Sequence, residues 1–357
     1  MTSAPVQVAI VGLGRWAKVL TRASAKSEKL RIVAGYSRSA EKRAAFEAET
    51  GVPSAPTIET VLADRSIEGV ILTVPNEQHL PMAALVAKAK KHVYTEKPIA
   101  SSLVEGLEIL ALEKKYGITV TVGHSARLMA GIRKIREAID VGELGRVAFL
   151  EANFSNNRAL ELTPLTWRWY KDKAPGGPLS QLAIHQFDVL HYLGGEVVGA
   201  SGMASKLSPV GAEVDDQSMT LLKFADGKIG YVGSCWTSPG IFSVRVFGSK
   251  GLMHYEIDFD TWDTPDELHR KSTLYIQRGI DGYAKREELR VPESDMFRAE
   301  LEMFAESCRT GKANELSAHN GNVALAMVYA ALKSLEQNGQ CVGIASVLED
   351  AQSRVRE

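Results

Sequence analysis

Cysteine is scarce in this chain, three among 357 residues. Cys235, Cys308 and Cys341 are odd in number, widely spaced and form no C-x-x-C pair. That excludes a disulfide framework and fits free thiols in a reducing compartment. A surplus of charge is missing too: 42 Lys and Arg stand against 43 Asp and Glu, a formal net charge of −1. Such a balance gives no general attraction for nucleic acid or an acidic membrane surface. No apolar run approaches the roughly 18 residues of a membrane span, and no basic segment precedes the first apolar run as in a secretion signal. The eight histidines contain no H-E-x-x-H. His185 and His191 lie six apart, off one helical face, so no metal site is read. Neither a repeat nor a low-complexity linker is present. What remains is a cytoplasmic protein that meets neither membrane nor nucleic acid, long enough for two domains.

What is there begins at once. "VAIVGLGRWA" stops an apolar run at two glycines. A run that short and that continuously apolar reads as a strand buried on both faces, as in a parallel sheet covered by helices. Gly12-Leu13-Gly14-Arg15-Trp16-Ala17 has the form G-x-G-x-x-A. Gly12 makes the tight turn, Gly14 lets the backbone approach a pyrophosphate, and Ala17 allows close packing of helix on strand. The anion rests on the free N–H groups where the helix starts.

Context supports that motif. Helix 16–29 is followed by the strand "LRIVAGYS", a helix capped by Ser39 that ends at Gly51, and a short helix over 57–64. Then come the strand "GVILTVP", the helix "QHLPMAALVAKAKK", "HVYTEKP", the helix "SLVEGLEILALEKKYG" and the strand "ITVTVGH". Strand and helix alternating at this spacing predict a doubly wound parallel sheet, a Rossmann domain over 1–124. The tip of the second strand meets the adenosine ribose, where an Asp or Glu would bind the 2′-hydroxyl. Here stand Ser37, Arg38 and Ser39, with Lys42 one turn later. A guanidinium and two hydroxyls suit a 2′-phosphate, which favours NADP over NAD.

From residue 125 the pattern changes. "SARLMAGIRKIREAIDVGELGRV" reads as one helix, followed by the strand "AFLEANFSN". "SMTLLKF", "KIGYVGSCW", "FSVRVFGS" and "LMHYEI" read as antiparallel hairpins. "FRAELEMFAESCRTG" and "NVALAMVYAALKSLEQNG" are amphipathic helices. Residues 125–357 form an α+β domain with a largely antiparallel open sheet for substrate binding and oligomerisation. The other face of that sheet needs cover, so a homodimer or homotetramer is expected.

"VPNEQH" at 74–79, "EKP" at 96–98 and "PGGPLSQLAIHQFD" at 175–188 together resemble the Gfo/Idh/MocA family of oxidoreductases. The glycine turn, "GH" at 123–124 and the closing "E-L-E-x-F" fit as well, so the resemblance spans nearly the whole chain. It implies a Rossmann domain, an open-sheet domain and a substrate cleft between them. It also implies cofactor contacts from Arg15 and Trp16, from Val74, Pro75, Asn76 and His79, and from Glu96 and Lys97. Lys97 matches the family's catalytic lysine and His185 its catalytic histidine, with Asp188 one turn beyond. Substrate contacts fall to Lys97, His124, Arg127, Trp167, Arg168, Gln181 and His185. Arg127 and Arg158 could meet an anionic substrate, and Trp167, Arg168 and Tyr170 could wall the cleft.

The residue types suit the chemistry. Oxidising a secondary alcohol removes a hydride from carbon and a proton from oxygen, and an imidazole can take that proton. A lysine beside an oxidised nicotinamide is pushed toward lower pKa and can polarise the oxygen. Asp188, at i+3, could orient His185. One position departs from the family. Many members that act on sugars and inositols carry an Asp four residues before the histidine, where this chain has Gln181, which cannot take a proton. The resulting expectation is a dehydrogenase or reductase acting on a sugar, polyol or related ring alcohol. Alternatives are a dihydrodiol dehydrogenase, a glycosidase using a retained dinucleotide for transient oxidation, and a non-catalytic sensor.

Overall fold

The computed structural model describes residues 4–257, 262, 264, 267–279 and 284–355. It divides into two compact units, Met1–Ser125 with Asp295–Asn322, and Ala126–Ser294 with Val323–Ser353. The first is built on strands β1 (Val6–Val11), β2 (Leu30–Tyr36), β3 (Gly69–Leu72), β4 (His92–Glu96) and β5 (Val120–Gly123). They form a parallel sheet in the order β2-β1-β3-β4-β5. β1 is buried at every position but Gln7, and β3 and β5 throughout, because helices cover both faces. The expected doubly wound fold is present.

Helix starts follow local chemistry. Ser39, Thr57 and Ser102 cap the helices Ala40–Thr50, Ile58–Ala63 and Leu103–Tyr116, the last with Glu105 completing a capping box. Gly51 and Gly117 end two of them in the left-handed conformation. Helix Met296–Thr310, capped by Asp295, packs on this sheet and on helix Arg15–Ala25. Phe297 meets Trp16 edge-on at 5.7 Å, and Phe304 lies edge-on to Tyr94 at 5.9 Å.

The second unit carries β6 (Val147–Ser155), β7 (Val197–Ser205), β8 (Gln217–Phe224), β9 (Ile229–Cys235), β10 (Ile241–Gly248), β11 (Gly251–Ile257), β12 (Ser272–Arg278), β13 (Arg286–Glu288) and β14 (Val342–Gly343). Among the described residues they form one sheet, ordered β13-β12-β11-β10-β6-β9-β8-β7-β14. Its pairs are antiparallel except β6 with β9. One face is buried, with helix Ile184–Gly194 packed on β6 and β9. On the other face Met203, Met219, Leu221 and Ile229 are exposed.

The single helix expected over 125–147 is two pieces. Ser125–Leu128 is a 3₁₀ turn, and Ala130–Asp140 is the α-helix. Met129 between them is extended, with ψ 135°, and Gly142 at φ 72° turns the chain after the second piece.

Candidate functional site

In the first unit the glycine turn stands at the end of β1. Gly12 has φ 98°, a conformation that costs other residues energy, and Thr73 Oγ1 donates to its carbonyl at 2.6 Å. Gly14 is the N-cap of helix Arg15–Ala25, which has neither a side-chain cap nor an acidic residue in its first turn. An uncapped helix start offers N–H groups and positive dipole potential to an anion. A Cβ at Gly14 would meet nothing within 4 Å, so this face of the turn is open. These features fit the pyrophosphate of a dinucleotide. Ala17 is fully buried, Arg15 is exposed, and Trp16 packs on Phe297.

At the tip of β2, Arg38 is exposed and Ser39 Oγ accepts from the Lys42 backbone N–H at 3.2 Å. Arg43, which sequence reasoning missed, donates to the carbonyl of Ser37 at 2.6 Å and of Arg38 at 3.3 Å. It therefore fixes the backbone that carries Arg38. Val74 and Pro75 lead into a 3₁₀ turn, Asn76–Gln78. His79 is buried, with Nε2 3.1 Å from the Val74 carbonyl and Nδ1 3.0 Å from that of Pro98. It ties the loop after β3 to the turn after β4, and burial holds its pKa below the ordinary imidazole value.

That turn carries Glu96, Lys97 and a cis Lys97–Pro98 bond. The Lys97 backbone N–H donates to Glu96 Oε2 at 3.3 Å. Behind it lies an acidic cluster that composition did not reveal. Tyr94 and Glu300 are buried, and the Tyr94 phenol faces the carboxyls of both Glu96 and Glu300. The phenol fits because β5 presents Gly123 there, where a Cβ would fall 2.4 Å from the Tyr94 hydroxyl. Burial pushes Glu96 up to about 7, although Lys97 pulls the other way. Burial, then Glu96, and also Asp295 push Glu300 well above the usual carboxylate range. The only trace of Glu300 in the sequence was the "E-L-E-x-F" motif. His124, just after β5, is buried.

In the second unit, Leu179–Ala183 form a π turn that runs into helix Ile184–Gly194. Such turns re-aim side chains and recur at functional sites. Gln181 and His185 are buried four residues apart on this segment. Two aromatic neighbours of His185 went unread in the sequence: the rings of Phe154 and Trp262 each lie 5.4 Å from the imidazole. Gln181 Oε1 accepts from Arg168 Nε at 3.4 Å, and the Arg168 guanidinium stacks 4.2 Å over the ring of Trp167. Sequence reasoning assigned Asp188 to His185 and Arg127 to substrate. The structure joins the two: Arg127 Nε donates to Asp188 Oδ2 at 2.8 Å, and its NH2 reaches Oδ1. Both side chains are buried, and the guanidinium lies 5.4 Å from the Tyr192 ring centre. A buried charge needs such a partner.

Residues 6–124 match the oxidoreductase family with an NAD-binding Rossmann fold, and residues 132–254 match the GFO/IDH/MocA C-terminal domain. The chain belongs to the Gfo/Idh/MocA family of oxidoreductases. It is similar to a crystal structure from Desulfitobacterium hafniense, provisionally named an NADPH-dependent oxidoreductase. The two share 38% identity at a TM-score of 0.93, over 97% of this chain and 100% of that one. Myo-inositol 2-dehydrogenase of Thermotoga maritima is 26% identical over 284 residues, 78% of this chain and 80% of that protein. Aldose-aldose oxidoreductase of Caulobacter crescentus is 25% identical with a TM-score of 0.83, over 95% of this chain and 99% of that one.

The acidic cluster makes a pH prediction. Burial favours the protonated carboxyls, so the native state holds protons that the unfolded chain releases near 4.5. Stability therefore falls as pH rises from that value through about 7. Glu300→Gln removes one of the two ionisable groups. Thermal unfolding should show a smaller loss of Tm between about pH 5.5 and 8.5 in the variant than in the wild type. Equal slopes would contradict the placement of charge.

Proposed function

We propose that this chain is an NADP(H)-preferring dehydrogenase or reductase acting on a CH–OH group of a sugar, polyol or related ring alcohol. The observation that carries the reading is the uncapped start of helix Arg15–Ala25, with no carboxylate among Ser37, Arg38 and Ser39 at the ribose position. The names of the relatives support it. One is called NADPH-dependent, one acts on myo-inositol and one on aldoses.

A bound nicotinamide dinucleotide supplies the hydride acceptor. Gly12, Gly14 and the first turn of helix Arg15–Ala25 hold its pyrophosphate, and Arg38, with Ser37 and Ser39, holds the 2′-phosphate. Val74, Pro75 and Asn76 line its path, with His79 bracing their loop. In the oxidative direction the substrate carbon loses a hydride and its hydroxyl loses a proton, giving a ketone. His185 accepts that proton, and Lys97 stabilises the negative charge developing on oxygen. The rings of Phe154 and Trp262 flank the imidazole and hold its plane. Gln181 orients a substrate oxygen without titrating. Net cofactor reduction, read at 340 nm, distinguishes this chemistry from transient oxidation within a glycosidase. The free thiols of Cys235, Cys308 and Cys341 support a cytoplasmic setting.

Lys97→Ala and His185→Ala should each lower kcat by roughly a hundredfold or more while leaving dinucleotide binding within a few-fold. A variant keeping more than about a tenth of the wild-type rate would remove that residue from catalysis.

Cofactor choice is tested by kcat/KM with NADP and NAD. The wild type should prefer NADP by about ten- to a hundredfold, and Arg38→Ala should erase most of that by weakening NADP alone. Equal effects on the two cofactors would refute the role of Arg38.

We further propose self-association through the open face of the second unit's sheet. Met203 pairs with Met219 across β7 and β8, and both are exposed, as are Leu221 and Ile229. Sedimentation should give a dimer or tetramer at micromolar concentration; a monomer would overturn the proposal.

A further inference from the structure

The second unit holds one buried and one half-buried arginine in very different company. Arg127 meets its charge in Asp188. Arg168 does not. Its Nε is given to a neutral amide, Gln181, and its face to the Trp167 ring. Among the described residues, the charged group that acts on it is a second cation, Arg158. Burial and that neighbour push Arg168 down to about 10, so the site works against its charge. Removing a cation from water beside another cation is unfavourable unless something restores the balance.

The position of Arg168 indicates what restores it. The Nε–H points to Gln181, four residues before His185 on the same helical segment. A guanidinium has five N–H donors in a planar fork, so the donors left beyond Nε match the oxygens of a carboxylate or phosphate. Stacking on Trp167 fixes the plane of that fork before any ligand arrives. The indole also offers a flat surface for the C–H face of a ring.

We infer that the substrate is an acidic sugar or polyol, whose carboxylate or phosphate is held by Arg168 while its reacting hydroxyl lies at His185. This rests on the proposed oxidoreductase reading and narrows it. Arg158 adds long-range attraction for the same anion. Gln181 in place of a carboxylate is consistent: an Asp there would pair with Arg168 and repel an anionic substrate.

The test compares acidic and neutral sugars in matched pairs. Protein saturated with NADP is titrated calorimetrically with D-glucuronate, D-galacturonate and D-glucose 6-phosphate, and with D-glucose and D-galactose. At least one acid should bind roughly tenfold or more tightly than its neutral partner. Whether the uronates or the phosphate are favoured identifies the anion. Arg168→Gln should weaken binding of the acid at least about tenfold more than that of its neutral partner, and Arg168→Lys should recover part of the difference. No preference for any acid, or equal losses for acid and neutral sugar in Arg168→Gln, overturns the inference. Turnover at 340 nm is followed in parallel. Acid-selective binding without cofactor reduction would keep the anion site and remove the oxidoreductase reading. Reduction by neutral sugars without acid preference would do the reverse.

Discussion

A Cβ built on Gly12 would fall 2.8 Å from the Thr73 carbonyl and the Val74 nitrogen. Only a glycine lets the ends of β1 and β3 approach so closely, and much else in the first unit follows from that approach. Thr73 can then donate to the Gly12 carbonyl, and the chain leaves β1 in a left-handed turn. Helix Arg15–Ala25 starts immediately afterwards, with its first N–H groups facing open space at Gly14. Helices Ala40–Thr50, Ile58–Ala63 and Leu103–Tyr116 satisfy the same groups with a serine or threonine. Helices Arg15–Ala25 and His79–Lys88 of this unit start without such a cap, and the first of them follows the glycine turn, with open space at Gly14. Its unsatisfied donors amount to a binding site for an anion.

Charge is handled in three ways within the two units. Arg127 and Asp188 neutralise each other in the interior and brace the helix bearing His185. Glu96 and Glu300 crowd a shared phenol, and burial drives both toward their protonated forms. Arg168 is left beside another cation. The first arrangement braces the interior, the second raises two carboxyl pKa values, and the third underlies the proposed anion site.

The Rossmann half was legible because its signals are local. Continuous apolar runs, Ser and Thr caps and closing glycines each declare an element within a few residues. The long-range pairings were less so. An amphipathic helix at 296–310 announces an apolar face, but nothing in it says that Phe304 meets Tyr94 or that Glu300 reaches the same phenol. Arg127 and Asp188 stand 61 residues apart, and only folding shows that they belong together. β7, with the sequence VVGASGMAS, escaped notice because its small residues blur the alternation that marks a strand. Lys97, Gln181, His185 and Arg168 were named from sequence because they lie in or beside motifs with fixed spacing. Phe154 and Trp262 lie in none, and their place beside His185 emerges only in three dimensions.

The central claim is that the open start of helix Arg15–Ala25 holds a dinucleotide, and Gly14→Asp tests it most directly. The position has ordinary backbone geometry, φ −89°, and room for a side chain. An Asp in place of Gly at an N-cap typically stabilises a helix by a few tenths of a kcal/mol. The same carboxylate would occupy the anion site with the wrong charge. Titration with NADPH, followed by its fluorescence, should show one saturable site per chain in the wild type. In Gly14→Asp the affinity should drop by roughly a hundredfold or more, with an unfolding temperature equal to or above that of the wild type. NADPH binding that survives Gly14→Asp unchanged, or is missing from the wild type, would contradict the account.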